Sequence, residues 1–322
     1  MAHACETHHQ QRRVAERFRS EAPYWDAVYR GTDVFSRILQ RRREVILRMI
    51  DQLSLSKNAH VLEVGCGAGL TTVELARRGY DIQAIDVAKE MLDLTLQHAA
   101  QANVSDRVFA SIGDVHSLHF AENTFDLVLA VGVLPFLHSP ATAMRQMTSV
   151  TKPGRYLIVT SDNYWRLNHL IDLYMNPLLG SLRYSAKRIL SAVGLYNRPT
   201  RCAGQGPRVY MYSMKDLRAF VSSAQLEESK VVTIGFGPFT FLGKNILLDS
   251  AGVWLDARLQ QLADRGFPPL SATGSQHILL ARKVCAKSET PLGRATSPRC
   301  RMARASFGNR PMPLQLYLSN SE

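Results

Sequence analysis

The 322-residue chain has few cysteines, fewer acidic than basic residues and no long apolar run. Its five cysteines are scattered, odd in number and without a CxxC pair, which disfavours a disulfide framework or a metal site. The most apolar stretch, LVLAVGVLPFL at 127–137, is far shorter than the roughly 20 residues of a membrane-spanning helix. The polar N-terminus lacks the apolar run of a signal peptide. We therefore expect a cytoplasmic protein that is peripheral to a membrane at most.

The composition is that of a globular α/β protein with a basic surplus. Hydrophobic residues make up 46% of the chain, and 39 Lys and Arg against 27 Asp and Glu give a formal net charge of +12. This charge permits a nucleic acid, a membrane surface or an acidic substrate as partner and requires none of them. Residues 285–322 have no periodicity and are rich in Arg, Ser and Pro, which predicts a disordered basic tail.

Strand-like and helix-like segments alternate along most of the chain. Strands are expected at 60–65, 81–86, 107–114, 125–134, 155–162, 228–239 and 275–283. Helices are expected at 35–53, 71–79, 89–102, 140–154, 213–226 and 253–266, the fifth with Ser213 as its N-cap. In the first of these helices Ile38, Ile46 and Met49 share an apolar face, and Arg41 to Arg43 are predicted to lie mostly off it. The alternation predicts a doubly wound, Rossmann-like, mostly parallel seven-stranded α/β sheet.

Five regions follow from this pattern. They are an N-terminal helical cap at 1–56, a core at 57–162, a helical insertion after the fifth strand at 163–210, a second part of the core at 211–284 and the tail at 285–322. The stretch 166–208 of the insertion contains seven Lys and Arg and one acid, with apolar residues among them. It is interpreted either as a cap with a solvated basic face or as a peripheral contact with a membrane surface.

The stretch VLEVGCGAGL at 61–70 joins a buried strand to a glycine-rich turn. A dinucleotide fingerprint would need glycine at position 70, where Leu70 stands, so the spacing does not fit a pyrophosphate. Acids accompany the turn: Glu63 in the first strand, Asp86 at the end of the second and Asp114 at the end of the third. Together they indicate a ligand with an amino group, a ribose and an adenine but no phosphate.

Four segments taken in order, VLEVGCGAG, AIDVAKEML, GDVHSLHFAENTFDLVLAVGVL and VTKPGRYLIV, resemble the motifs of class I S-adenosylmethionine-dependent methyltransferases. The likeness is to the small-molecule, type 11-like branch. It implies S-adenosyl-L-methionine as cofactor, with its methionine half lined by Glu63, Gly65, Gly67 and Gly69. It further implies that Asp86 holds the ribose with Met91 beside it, that Asp114 and Val115 meet the adenine, and that Val131 lies under the cofactor.

The sequence gives only weak candidates for a catalytic base. Many relatives carry a histidine in the loop after the fourth strand, and Phe136 occupies that place in LPFLHSP. His138, Asp162, Tyr24 and Tyr29 are the candidates, and each is equally open to a structural or substrate-orienting role. In KPGR at 152–155, Arg155 replaces the usual second glycine, which is harmless if it avoids positive φ.

The expected activity is methyl transfer to a small-molecule acceptor or to a lipid-like, lipid-linked or glycan-like one, at oxygen, by in-line displacement. The alternatives are an RNA methyltransferase, disfavoured because AVGVLPF stands where an N/D-PPY-like motif would, a nicotinamide oxidoreductase, and a catalytically silent cofactor-binding protein of the same fold.

Overall fold

The computed structural model describes residues 2–182, 184–185 and 206–285. The predicted tail, apart from Cys285, and the middle of the predicted insertion therefore lie outside the described residues. The strands are β1 His60–Val64, β2 Asp81–Asp86, β3 Val108–Ile112, β4 Phe125–Ala130, β5 Thr151–Asp162, β6 Leu226–Ile234, β7 Thr240–Phe241, β8 Lys244–Asn245 and β9 Gln276–Lys283. The helices are α1 Ala2–Ser20, α2 Ala22–Ala27, α3 Val34–Asp51, α4 Leu70–Arg77, α5 Lys89–Gln101, α6 Pro140–Val150, α7 Leu167–Ile171, α8 Met214–Ser223, α9 Asp249–Asp264 and α10 Pro268–Thr273.

The predicted seven-stranded sheet is confirmed. Its strand order is β3-β2-β1-β4-β5-β9-β6. β9 pairs antiparallel with β5 and β6, and the other neighbouring strands pair parallel. β4 is buried along its whole length and β1 at all but its first residue, as expected for central parallel strands covered on both faces.

Helices cover both faces of this sheet. One apolar cluster packs α3, α4 and α5 on one face, and a second packs α6 and α8 on the other. α8 begins at the predicted cap, where Ser213 and Asp216 form a reciprocal capping box. Because β1 pairs parallel with β2 and β4, the carboxyl ends of these three strands lie at the same edge of the sheet. Residues of the N-terminal helices lie next to that edge.

Three details differ from the sequence prediction. β6 ends at Ile234 rather than running to 239, because Gly235 takes a φ of +70° and turns the chain away. A two-stranded hairpin, β7–β8, and the short helix α10 follow unpredicted. The KPGR turn lies within β5 as an irregularity in its pairing with β4: Gly154 takes a φ of +73° and Arg155 does not adopt positive φ.

Candidate active site

A deep cavity opens at the carboxyl edge of the sheet. The strand order reverses between β1 and β4, and in open α/β sheets a ligand crevice forms at such a reversal. The cavity has a volume of about 190 Å³ and opens to solvent at its mouth.

The glycine-rich turn forms one wall of this cavity. Gly65, Gly67 and Gly69 have φ values of +65°, +57° and +75°, a region that glycine occupies without steric cost. A methyl group on Gly65 would clash with Val133, and one on Gly69 with Thr95. A methyl group on Gly67 would meet no atom within 4 Å. Gly67 therefore leaves open space in the wall, into which a ligand can approach the backbone.

Two buried carboxylates stand beside the turn. Asp86 accepts hydrogen bonds from the backbone N–H of Gly67 at 3.0 Å and of Ala88 at 2.9 Å, and burial raises its pKa. Glu63 accepts a hydrogen bond from the Thr72 hydroxyl. Complete burial raises the pKa of Glu63 from 4.5 to about 7, with the charge of Asp86 adding to the shift. Two acids in a closed site are suited to a ligand that carries hydroxyl donors and a cationic group.

The other predicted cofactor residues are not all on the cavity wall. Met91, Val115 and Val131 line it, whereas Gly69 and Asp114 do not. Asp114 lies beside the wall residues Gly113 and Val115 and accepts hydrogen bonds from the ring and backbone N–H of His116, at 2.7 and 2.9 Å. Burial alone would raise the pKa of Asp114, but these hydrogen bonds hold it below its usual value.

The four weak candidates for a base separate into two pairs. Asp162 and Tyr29 line the cavity; His138 and Tyr24 do not. The His138 ring stacks on His116 with centroids 3.6 Å apart. Asp162, at the end of β5, accepts a hydrogen bond from the Gln276 amide at 3.0 Å and lies 3.5 Å from the Arg166 guanidinium.

Aromatic side chains form another part of the cavity wall. Phe136, from the loop after β4, meets Phe18 of α1 edge to face, with centroids 5.0 Å apart. Trp25 of α2 and Phe35 of α3 also line the cavity. Gln10 donates hydrogen bonds to the backbone carbonyls of Phe136 and Arg208, which fixes α1 across the opening. The N-terminal helices therefore contribute aromatic side chains to the wall of the cavity.

Arg42 lines the cavity although the sequence analysis placed it off the apolar face of its helix; that expectation is wrong. The residue is 6% exposed. Arg42 lies four positions after Ile38 and four positions before Ile46. Residues four apart lie on the same face of an α-helix, so this spacing predicts Arg42 on the buried face, and it is the signal that the sequence analysis missed. Its terminal nitrogens donate to neutral partners, the Tyr29 hydroxyl at 2.9 Å and the Gln276 amide oxygen at 3.5 Å, and its buried Nε has no hydrogen-bond partner.

Two further observations concern metal binding and membrane spans. Among the residues that the structure describes, no cluster of three or more His, Cys, Asp or Glu side chains is arranged to hold a metal ion. None of the helices in those ranges combines the length and hydrophobicity needed to span a bilayer.

Comparison with known proteins finds relatives of the central part of the chain. Residues 62–159 match the family model described as "Methyltransferase domain". A demethylmenaquinone methyltransferase of Lactiplantibacillus plantarum is 37% identical over 110 residues, which are 33% of this chain and 46% of that protein. A ubiquinone biosynthesis O-methyltransferase of Coxiella burnetii is 28% identical over 137 residues, 42% of this chain and 56% of that protein. The chain thus spans about half the length of these curated relatives.

A solved structure extends the likeness in fold beyond this domain. The crystal structure of the [4+2]-cyclase SpnF superposes with a TM-score of 0.54 at 19% identity, over 85% of this chain and 96% of that one. Residues 62–159, which the family model matches, contain most of β1, all of β2 to β4, the glycine turn and most of β5. These elements form the part of the cavity wall that holds the glycine turn and the buried acids. Residues 62–159 therefore match a methyltransferase domain, and the family resemblance of the sequence is confirmed over this segment.

Proposed function

We propose that the protein is an active S-adenosylmethionine-dependent methyltransferase that methylates an oxygen of a small, largely apolar acceptor. The observation that carries the proposal is one cavity whose wall contains both a glycine turn with buried acids and a set of aromatic side chains. The first part of the wall suits a polar nucleoside cofactor and the second an apolar acceptor. The names of the curated relatives, which are quinone-pathway enzymes, support an acceptor of this kind.

The wall residues fit the cofactor that the family uses. Gly67 offers the open backbone surface, Asp86 offers carboxylate oxygens to ribose hydroxyls, and Glu63 offers a buried anion to an α-ammonium group. When bound, S-adenosylmethionine supplies a methyl group on a sulfonium. The chain itself binds and orients the cofactor and the acceptor. Holding the two reactants in line lowers the activation free energy by up to about 7–11 kcal/mol.

We further assign Arg42 to the carboxylate of the methionine half. A methyl group built on Gly132 would lie 3.3 Å from an Arg42 nitrogen, while the next residue, Val133, packs on Gly65. Arg42 therefore lies at the Gly65 end of the cavity, where the methionine half is expected. The Arg42 guanidinium lines the cavity and donates only to neutral partners, so it is suited to a carboxylate, since charge-assisted hydrogen bonds to Arg are strong and directional.

Asp162 is the proton acceptor in this proposal. Three carboxylates line the cavity among the described residues: Glu63 and Asp86 beside the glycine turn, and Asp162 at the end of β5. A hydroxyl acceptor must lose its proton as the methyl group arrives, and a positioned base typically contributes roughly 10²- to 10⁴-fold. Gln276 and Arg166 hold the Asp162 carboxylate in place for that step.

One structural neighbour is named as a cyclase, so the proposal is tested by both cofactor binding and methyl transfer. The test is therefore calorimetric titration with S-adenosylhomocysteine and with NAD, followed by transfer of a labelled methyl group to hydroquinones, phenolic lipids and RNA. We expect binding of S-adenosylhomocysteine, no binding of NAD and label in the small phenols. Asp162→Asn should lower turnover by roughly 10²-fold or more at unchanged cofactor affinity.

Three results would contradict parts of this proposal. Preference for NAD would overturn the cofactor, and label in RNA alone would establish the runner-up function. Tight cofactor binding without turnover on any acceptor would favour a silent cofactor-binding protein.

A further inference from the structure

Arg17 of α1 is a buried cation on the cavity wall. The residue is 9% exposed, and its guanidinium carbon lies 5.6 Å from the centre of the Phe136 ring. Val14 and Phe18, three positions before and one after it on the same helix, also line the cavity. The N-terminal helix therefore presents a charged group among apolar ones, next to an aromatic ring of the wall.

Most hydrogen-bond donors of this guanidinium are unpaired. The Arg17 Nε donates to the two carboxylate oxygens of Glu21 at 3.0 and 2.9 Å, and among the described residues no group accepts from its two terminal nitrogens. The fully buried side-chain atoms that lack a partner in those ranges do not include either nitrogen, so both remain accessible. Four of the five N–H groups of Arg17 can therefore donate to a ligand in the cavity.

Glu21 anchors the Arg17 side chain without occupying the cavity. Its carboxylate also accepts a hydrogen bond from the Trp25 indole N–H at 3.1 Å, so one acid fixes two residues of the wall. Glu21 itself does not line the cavity. A nearly buried guanidinium with unpaired donors destabilises the fold, and an anionic ligand that accepts from those donors offsets this cost.

The charges on the cavity wall divide between the cofactor and the acceptor. The proposed function assigns Glu63, Asp86 and Arg42 to S-adenosylmethionine. The other two charged residues of the wall, among those described, are Arg17 and Asp162. One cation and one anion can orient a molecule that carries an acidic group at one position and a hydroxyl at another. Since carboxylates outnumber guanidinium groups on the wall by three to two, a singly charged carboxylate is favoured over a phosphate dianion.

We propose that Arg17 selects the acceptor by charge, and that the acceptor is a hydroxylated aromatic carboxylic acid. Its carboxylate pairs with the terminal nitrogens of Arg17, in the bidentate geometry that arginine and carboxylates favour, and its ring lies against Phe136 and Trp25. This inference rests on the proposed methyl transfer and narrows the acceptor from any small phenol to an anionic one.

The test is calorimetric titration of the full chain, saturated with S-adenosylhomocysteine, with protocatechuate and with its methyl ester. The two compounds share a ring and both hydroxyl groups and differ by one negative charge. Wild type should bind the acid at least about tenfold more tightly than the ester. Arg17→Met, which keeps the aliphatic packing, should bind the two alike, and Arg17→Lys, which keeps the charge without the planar fork, should retain part of the preference.

Arg13→Met is the matched control, because Arg13 is exposed on the same helix, and this variant should keep the wild-type preference. Affinity for the ester shows whether the cavity of each variant is intact. Equal binding of acid and ester by wild type, or a preference for the acid that survives Arg17→Met, would overturn the inference. So would a parallel loss of acid and ester binding in Arg17→Met, because Arg17 would then serve the packing of α1.

The same titrations separate this inference from the proposed function on which it rests. Calorimetry measures binding rather than turnover, so selection of the acid is detected even without methyl transfer. A wild type that binds S-adenosylhomocysteine but does not distinguish acid from ester contradicts the role of Arg17 alone. A wild type that does not bind S-adenosylhomocysteine contradicts the proposed function, and the inference with it.

Discussion

The two ends of the cavity are built from different material. At the glycine turn the wall is backbone: the N–H groups of Gly65 and Cys66 donate to the Ile85 carbonyl at 2.7 and 3.2 Å, and Gly67 donates to Asp86. At the other end the wall is side chains that come from α1, α2, α3, the β4 loop, β5 and β9. A backbone wall is set by a few consecutive residues, whereas a wall of side chains changes with each of many separate positions. The first is suited to one invariant ligand and the second to a variable one.

Arg42 is a side chain that lies at the Gly65 end of the cavity, and its removal should have the largest effect on cofactor affinity. Arg42→Met keeps the aliphatic packing and removes the guanidinium. A hydrogen bond to a charged group is worth about 1.5–3 kcal/mol, so S-adenosylhomocysteine should bind about 10- to 150-fold more weakly by calorimetry. Arg48→Met, on an exposed position of the same helix, is the control. Equal affinities in the two variants would remove Arg42 from the cofactor site.

Gly67 tests the backbone end by itself. Gly67→Ala adds a methyl group where the structure has open space, and overpacking against a bound ligand typically costs about 1–3 kcal/mol, or roughly 5- to 150-fold in affinity. Gly79→Ala is a matched control, because Gly79 also has positive φ, at +89°, and also has no atom within 4 Å of an added methyl, but it does not line the cavity.

Both glycine variants should lose similar stability, about 1 kcal/mol, from placing alanine in a left-handed conformation. A drop in cofactor affinity confined to Gly67→Ala would show that the ligand approaches this backbone. Parallel drops in both variants would mean that strain alone is responsible.

The same contrast explains what the sequence could predict. The seven strands and the turn were predictable because local patterns, a buried run followed by Gly65 and Gly67, specify them. Arg42 was misplaced because three consecutive arginines look alike in sequence, and only the register of α3 buries one of them. The β7–β8 hairpin was missed because its strands have two residues each, too few for a periodic signal. Pairings between distant segments, such as Asp162 with Gln276, leave no local pattern.

Glu63 provides the smallest and most specific test, because its effect depends on pH. Its folded pKa of about 7 lies above the ordinary 4.5, so the folded state holds this proton more tightly than the unfolded chain. The associated stability is full below about pH 4.5 and is lost as the pH rises through 7.

Binding of a cationic α-ammonium group has the opposite dependence on pH, since it needs the ionised Glu63 carboxylate. Between about pH 6 and 8 the affinity for S-adenosylhomocysteine should rise up to roughly tenfold, and Glu63→Gln should flatten that rise. A rise of the same size in Glu63→Gln would assign the proton to another group, and the buried acid would then serve the fold through Thr72 rather than the ligand.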